Sequence, residues 1–121
     1  MKHEGPMPHT AIIGIVYAAF NKRDIPTILK LMASDVNWPN GWEGGYVHGH
    51  KAVREYWTRQ WNEIDPLVYP QKIRQHNDGT LEVTVQQLVK DMAGTVLSDG
   101  LVKHVYTFEN GVIQKMEIDK M

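Results

Sequence analysis

Cysteine is absent from the 121 residues. Neither a disulfide nor a thiolate metal site can therefore form. That suits a reducing interior, and a cytoplasmic location is the expectation. An excess of charge of one sign is also missing: 13 Lys and Arg stand against 14 Asp and Glu, a formal net charge of −1. With no basic run there is no electrostatic footprint for nucleic acid, and none is expected as a partner. Long hydrophobic runs are lacking too. The longest, AIIGIVYAAF at residues 11–20, is about half of what a bilayer-spanning helix needs. It has neither the basic start nor the small-residue cleavage site of a signal peptide, so no membrane association is expected.

What is present is an ordinary globular composition, 42% apolar and 22% charged. A chain of this length buries roughly two thirds of its unfolded surface, enough for one core without staples. A single domain is expected over residues 10–121, behind a flexible N-terminal arm at 1–9, MKHEGPMPH. His3 and His9 lie in that arm and are given no metal role.

Thr10 reads as an N-cap for a helix over 10–22. Ile12, Ile13, Val16, Ala19 and Phe20 define its buried face. Asp24 caps a second helix with Pro26 in its first turn. Its stripe of Ile25, Ile28, Leu29 and Met32 predicts an end near Ala33. Val36 and Trp38 alternate as a brief strand, and the prolines and glycines of WPNGWEGG force an irregular loop. A third helix is predicted over 51–63, from Ala52, Val53, Tyr56, Trp57, Gln60 and Trp61, ended by Asp65-Pro66.

From there the period is two. Leu81, Val83, Val85, Gln87, Val89 and Asp91 share one face. Turns fall at Asn77-Asp78-Gly79, Asp91–Gly94 and Glu109-Asn110-Gly111. In LVKHVYTFENG, Lys103, Val105 and Thr107 lie on one face, and Val102, His104, Tyr106 and Phe108 on the other. Residues 96–108 read as strand interrupted at Ser98–Gly100, and Val112–Asp119 as the last strand. Helices followed by strands imply α+β. The shape expected is a cone: a strongly curved antiparallel sheet wrapped around three N-terminal helices.

An imidazole in an apolar, aromatic row is either a hydrogen-bonded core histidine or a pocket acid or base. His104 is the chief candidate. Gln87 needs a partner, a water or a ligand, because an unpaired buried amide costs about 1–3 kcal/mol. Asp91 is either a solvated turn residue or a catalytic partner. Trp57 and Trp61, four apart on one helix, read first as core filling. Trp38 and Trp42 flank a glycine-rich loop and could rim a flat, apolar ligand. His48 and His50 have only Glu43 nearby as a third ligand, so no metal is expected.

YAAFNKRDIPTILKLMASDV, then VHGHKAVREYW, then HVYTFENGVIQKMEI together resemble the nuclear transport factor 2-like superfamily. That superfamily includes ketosteroid isomerases and SnoaL-like polyketide cyclases, and the likeness runs from about Thr10 to Ile118. It implies a pocket that receives Tyr17 or Val16, Trp38, Asn40, Trp57, Trp61, Val85, Gln87, His104, Tyr106, Met116 and Ile118. Asn40 stands at the position of the isomerase base and His104 at that of an oxyanion aspartate, the isomerase system being one of the established worked cases of pKa tuning. Isomerase chemistry of that kind is therefore not expected. By likeness to cyclases, His104 takes the place of the catalytic histidine with Asp91 as its nearest partner; Tyr17, Gln87 or Tyr106 would hydrogen-bond the substrate oxygen, and Tyr17 is counted with His104 and Asp91 as catalytic. The resemblance implies a binder of a compact apolar or cyclic molecule, with proton transfer next to a carbonyl if it is an enzyme of isomerase, dehydratase or cyclase type. It implies no cofactor, and a homodimer through the outer sheet face of Thr84, Gln86, Leu88, Val105 and Thr107. The alternative is a non-catalytic binding or dimeric assembly module of the same fold.

Overall fold

The computed structural model describes residues 8–120. The N-terminal arm expected at 1–9 lies outside the described residues as far as Met7. The first helix, α1 (His9–Asn21), starts one residue early, after Pro8, and no side chain caps it. Thr10 therefore sits inside the first turn and is not the N-cap. The buried face is the expected one with Tyr17 added, and Phe20 is only partly buried against the core.

Asp24 does cap α2 (Ile25–Leu29), accepting from the backbone N–H and the hydroxyl of Thr27. This helix stops four residues before Ala33. Met32 instead opens β1 (Met32–Pro39), and the Leu31 carbonyl accepts from the Ile113 N–H at 2.8 Å. Sheet pairing has overridden the helical spacing here, as tertiary contacts commonly override propensity. The loop after Pro39 yields a further short strand, β2 (Tyr46–His48), antiparallel to β1.

Helix α3 (Gly49–Glu63) begins at a glycine with φ +83°, and the Ser34 carbonyl lies 3.4 Å from where its Cβ would be. Only glycine enters that left-handed conformation without strain. Strand β3 (Ile64–Gln75) follows directly, so Asp65-Pro66 lies within a strand just past the helix end. Strands β4 (Leu81–Asp91), β5 (Val96–Glu109) and β6 (Val112–Lys120) complete the sheet. Ser98–Gly100 does not interrupt β5. Gly100 pairs with Gln87, and the irregularity falls opposite Val89/Lys90.

The architecture is α+β. Six strands in the order β2-β1-β6-β5-β4-β3 form one curved, open sheet, antiparallel except where β1 runs parallel to β6. Alternation along β4 and β5 turns Leu81, Val83, Val85, His104 and Tyr106 inward. They meet α1 and α3 in a core that includes Ile13, Ile28, Val36, Val53 and Ile113, all with no exposed surface. Each such side chain contributes roughly 1.5–3 kcal/mol by leaving water. Among the described residues no helix is long and apolar enough to cross a membrane.

Candidate functional site

A connected buried polar group is built from two elements. Helix α1 presents Tyr17 from its buried face. Strand β5 presents His104, opposite Val83 and Ile118, and Tyr106, opposite Leu81 and Met116. The Tyr106 hydroxyl lies 2.8 Å from the Tyr17 hydroxyl, which lies 2.7 Å from His104 Nδ1. Exposure is 4% for Tyr17, 6% for His104 and 1% for Tyr106.

The chain of bonds has a preferred direction. If Nδ1 carried the proton, Tyr17 would donate to Tyr106, and the Tyr106 proton would have no acceptor among the described residues. That orphan costs about 1–3 kcal/mol. With Tyr106 donating to Tyr17, and Tyr17 to Nδ1, every hydroxyl proton is used. The imidazole proton then sits on Nε2, which no group among the described residues engages. Burial pushes the His104 pKa down from 6.5 to about 4, so the ring is neutral near pH 7. Burial likewise raises Tyr17, with the neighbouring Tyr106 adding to it, and raises Tyr106. Neither phenol ionises near neutrality.

Above this group lies a cavity of about 230 Å³. Its walls are aromatic and aliphatic. Trp38 meets Trp57 edge to face at 5.6 Å, Phe20, Tyr56, Val68, Val89 and Met116 add to the apolar wall, and Gln60, Gln87 and Ser98 bring polar groups to it. The Tyr56 hydroxyl accepts from the Gln60 amide at 3.1 Å, which accounts for a buried glutamine on α3. No Asp, Glu, Lys or Arg lines this space.

The residues singled out from the sequence divide clearly. Tyr17, Trp38, Trp42, Trp57, Gln87, His104, Tyr106, Met116 and Ile118 line the cavity, and so does Val16. Trp61 does not: it stacks behind Trp57 at 5.6 Å and lies under the Arg23 guanidinium. Val85 has no exposed surface and belongs to the core. Asn40 serves the β1–β2 turn. Its Oδ1 accepts from the N–H groups of Trp42 and Glu43, and its Nδ2 donates to Glu43.

Asp91 is not brought to His104. His104 pairs with Val83, and Asp91 is eight positions farther along β4, about 26 Å at strand rise. There its carboxylate accepts from the N–H groups of Ala93 and Thr95. His50 Nε2 donates to the Met32 carbonyl, the imidazole's one hydrogen-bond partner among the described residues, and Glu43 is held by Asn40 and Arg59. Among the described residues no group of three or more His, Asp or Glu could hold a metal ion.

Sequence reasoning missed Tyr56 and Gln60, read only as one face of α3, and also Val68, Val89, Gly41 and Ser98, for which no local pattern signals a cavity wall. A second, outer chamber of about 540 Å³ opens beside the first. It lies between the β1–β2 turn and the β4–β5 region and is lined by Asn40, Gly44, Gly45 and Gly100. The two chambers share Pro39, Gly41, Gln87, Ser98 and Ile118.

The family model for the SnoaL-like domain matches residues 16–116. Solved structures share the architecture over nearly the whole chain. TerC, co-crystallised with polyporic acid, is 26% identical with a TM-score of 0.82, over 95% of this chain and 92% of that one. An NTF2-like protein of unknown function from Burkholderia pseudomallei is 24% identical with a TM-score of 0.81, over 95% and 92%. A candidate polyketide cyclase from Sinorhizobium meliloti is 18% identical with a TM-score of 0.77, over 93% and 95%. No curated protein matches the chain in sequence.

Proposed function

Because this chain belongs to the SnoaL-like domain family, we propose that its cavity binds a compact, largely apolar cyclic molecule through one oxygen of that molecule, held by His104. The observation that carries this reading is the Tyr106–Tyr17–His104 chain, which leaves a neutral Nε2–H as the free donor in an apolar space. A preorganised donor in a water-poor site stabilises negative charge that develops on a carbonyl oxygen. The reaction supported is proton transfer next to a carbonyl. His104 donates a hydrogen bond to the oxygen and keeps its proton, so that the enolate is held as an anion while the carbon-bound proton leaves to water. Likeness to TerC, which was crystallised with polyporic acid, fits a small organic ligand in this space.

Binding without turnover is the second reading. It is favoured by the lining, which offers no carboxylate to take a proton from carbon. β-Tetralone, a bicyclic ketone, and β-naphthol, which imitates its enol, separate the two. The parent is expected to bind β-naphthol more tightly than naphthalene by roughly the 2- to 13-fold that one net hydrogen bond of about 0.5–1.5 kcal/mol provides. His104→Leu removes that preference. Proton–deuterium exchange at the activated carbon of β-tetralone, followed by NMR, then reports turnover. Exchange above the buffer rate that disappears in His104→Leu establishes the enzyme. Exchange at the buffer rate with binding intact establishes the binder. Equal affinity for naphthalene and β-naphthol overturns both.

The same reading includes a homodimer through the outer sheet face. Tyr69, Gln86 and Leu101 form one cross-strand row there, and Tyr69 and Leu101 are large and exposed.

A further inference from the structure

We propose that the outer chamber is a second subsite, which takes a polar arm of the same ligand, so that the ligand is a ring system of at most two fused rings bearing one short hydrogen-bonding chain. This rests on the ligand-binding reading of the inner cavity and adds the ligand's shape and polarity. Volume is the first argument. A cavity of 150 Å³ accepts a benzene ring, and the inner chamber, at about 230 Å³, is roughly one and a half times that. It therefore suits two fused rings and nothing longer. Drug-sized ligands occupy about 300–1,000 Å³, a range reached only when the outer 540 Å³ is included.

The lining is the second argument. The inner walls are mainly aromatic and aliphatic, whereas the outer walls are mixed, with the bare peptide of Gly44, Gly45 and Gly100 exposed between Tyr46, Leu101 and Val102. Gly44 and Gly45 adopt φ of +94° and +76°, and Gly100 has open space where a Cβ would stand. Bare backbone offers N–H and C=O groups to a polar chain and admits close approach.

The passage between the chambers is the third. A Cβ on Gly41 would stand 3.0 Å from Ile118 Cδ1, so any side chain there would narrow the opening these two residues border. Beside them is Gln87, whose carboxamide has no hydrogen-bond partner among the described residues and which borders both chambers. A partly buried amide left open at a passage is a place for a ligand's ether or amide oxygen.

The test compares β-naphthol with positional isomers of β-naphthol that carry one methoxyethoxy arm, by calorimetry. At least one isomer is expected to bind the parent about tenfold more tightly, a gain of about 1.4 kcal/mol. Gly100→Leu fills the outer chamber from a strand position where a side chain is sterically free. It should abolish that gain while β-naphthol binds as before. Gly41→Ala, which narrows the passage, should reduce the gain, and circular dichroism of both variants checks that each is folded. Armed isomers that gain nothing in the parent overturn the second subsite, as does a gain that survives Gly100→Leu in a folded variant. If β-naphthol itself fails to bind the parent, the inner-cavity reading fails first and this proposal falls with it.

Discussion

Acidifying the protein should weaken it through one side chain. In the folded state His104 is held at about 4 against an ordinary value of 6.5. Above pH 6.5 the ring is neutral both folded and unfolded, and stability is indifferent to it. Between pH 6.5 and about 4 the unfolded chain takes up a proton that the folded chain refuses, so stability falls as pH falls. Below about 4 both states are protonated and the loss is complete. The gap is worth about 3 kcal/mol in total, a large part of a typical 5–15 kcal/mol. Among the described residues no carboxylate offsets it. The groups facing the ring are the Tyr17 and Tyr106 hydroxyls and the apolar side chains of Val83 and Ile118. Urea unfolding of the parent and of His104→Gln, from neutral pH down toward the His104 value, measures the effect. Glutamine keeps an acceptor for the Tyr17 hydroxyl and cannot titrate. The other histidines and the carboxylates are common to both proteins and cancel in the difference. The parent should lose about 3 kcal/mol more than the variant over this range. Parallel curves would refute the claim that burial holds the imidazole neutral.

Two further outcomes follow from the geometry. Tyr17→Phe leaves both the Tyr106 hydroxyl and His104 Nδ1 without partners, for a loss of about 2–6 kcal/mol, whereas Tyr106→Phe removes only the terminal donor, for about 1 kcal/mol; thermal unfolding of both variants reads the order, and equal losses would contradict the directed chain. Leu101→Lys places a charge in the centre of the proposed dimer face. Sedimentation at micromolar concentration should show a dimer for the parent and a monomer for the variant, and a parent that is monomeric there defeats the dimer.

The site was legible where strand alternation governs. Val102, His104, Tyr106 and Phe108 share a face because successive side chains point to opposite sides, and the structure turns His104 and Tyr106 inward as that rule requires. The same rule puts Asp91 in the row of Leu81 and Val83, but carries no information on how far along the strand the cavity extends. Asp91 shares the alternation of His104's partner Val83 but lies eight positions along β4 from it. Helix α2 was overextended because Met32 continues its stripe, and nothing local announces that Leu31 and Met32 will pair with β6. Strand β2 escaped notice because Tyr46–His48 offers three residues beside Gly44, Gly45 and Gly49, too few to display a period. Tyr17 could be placed on α1, but its bond to His104 spans 87 positions and depends on the curvature of the sheet.

The position of β6 between β1 and β5 has a consequence for synthesis. Strands β1 and β5 acquire their shared neighbour only after Val112–Lys120 has been made. Until then the ribosome-bound chain carries two further open edges and an incomplete wall, because Met116 and Ile118 come from that strand. A transcript interrupted before Val112 would yield a product with all the helices, the histidine and both tyrosines of the relay, but with no container to put them in.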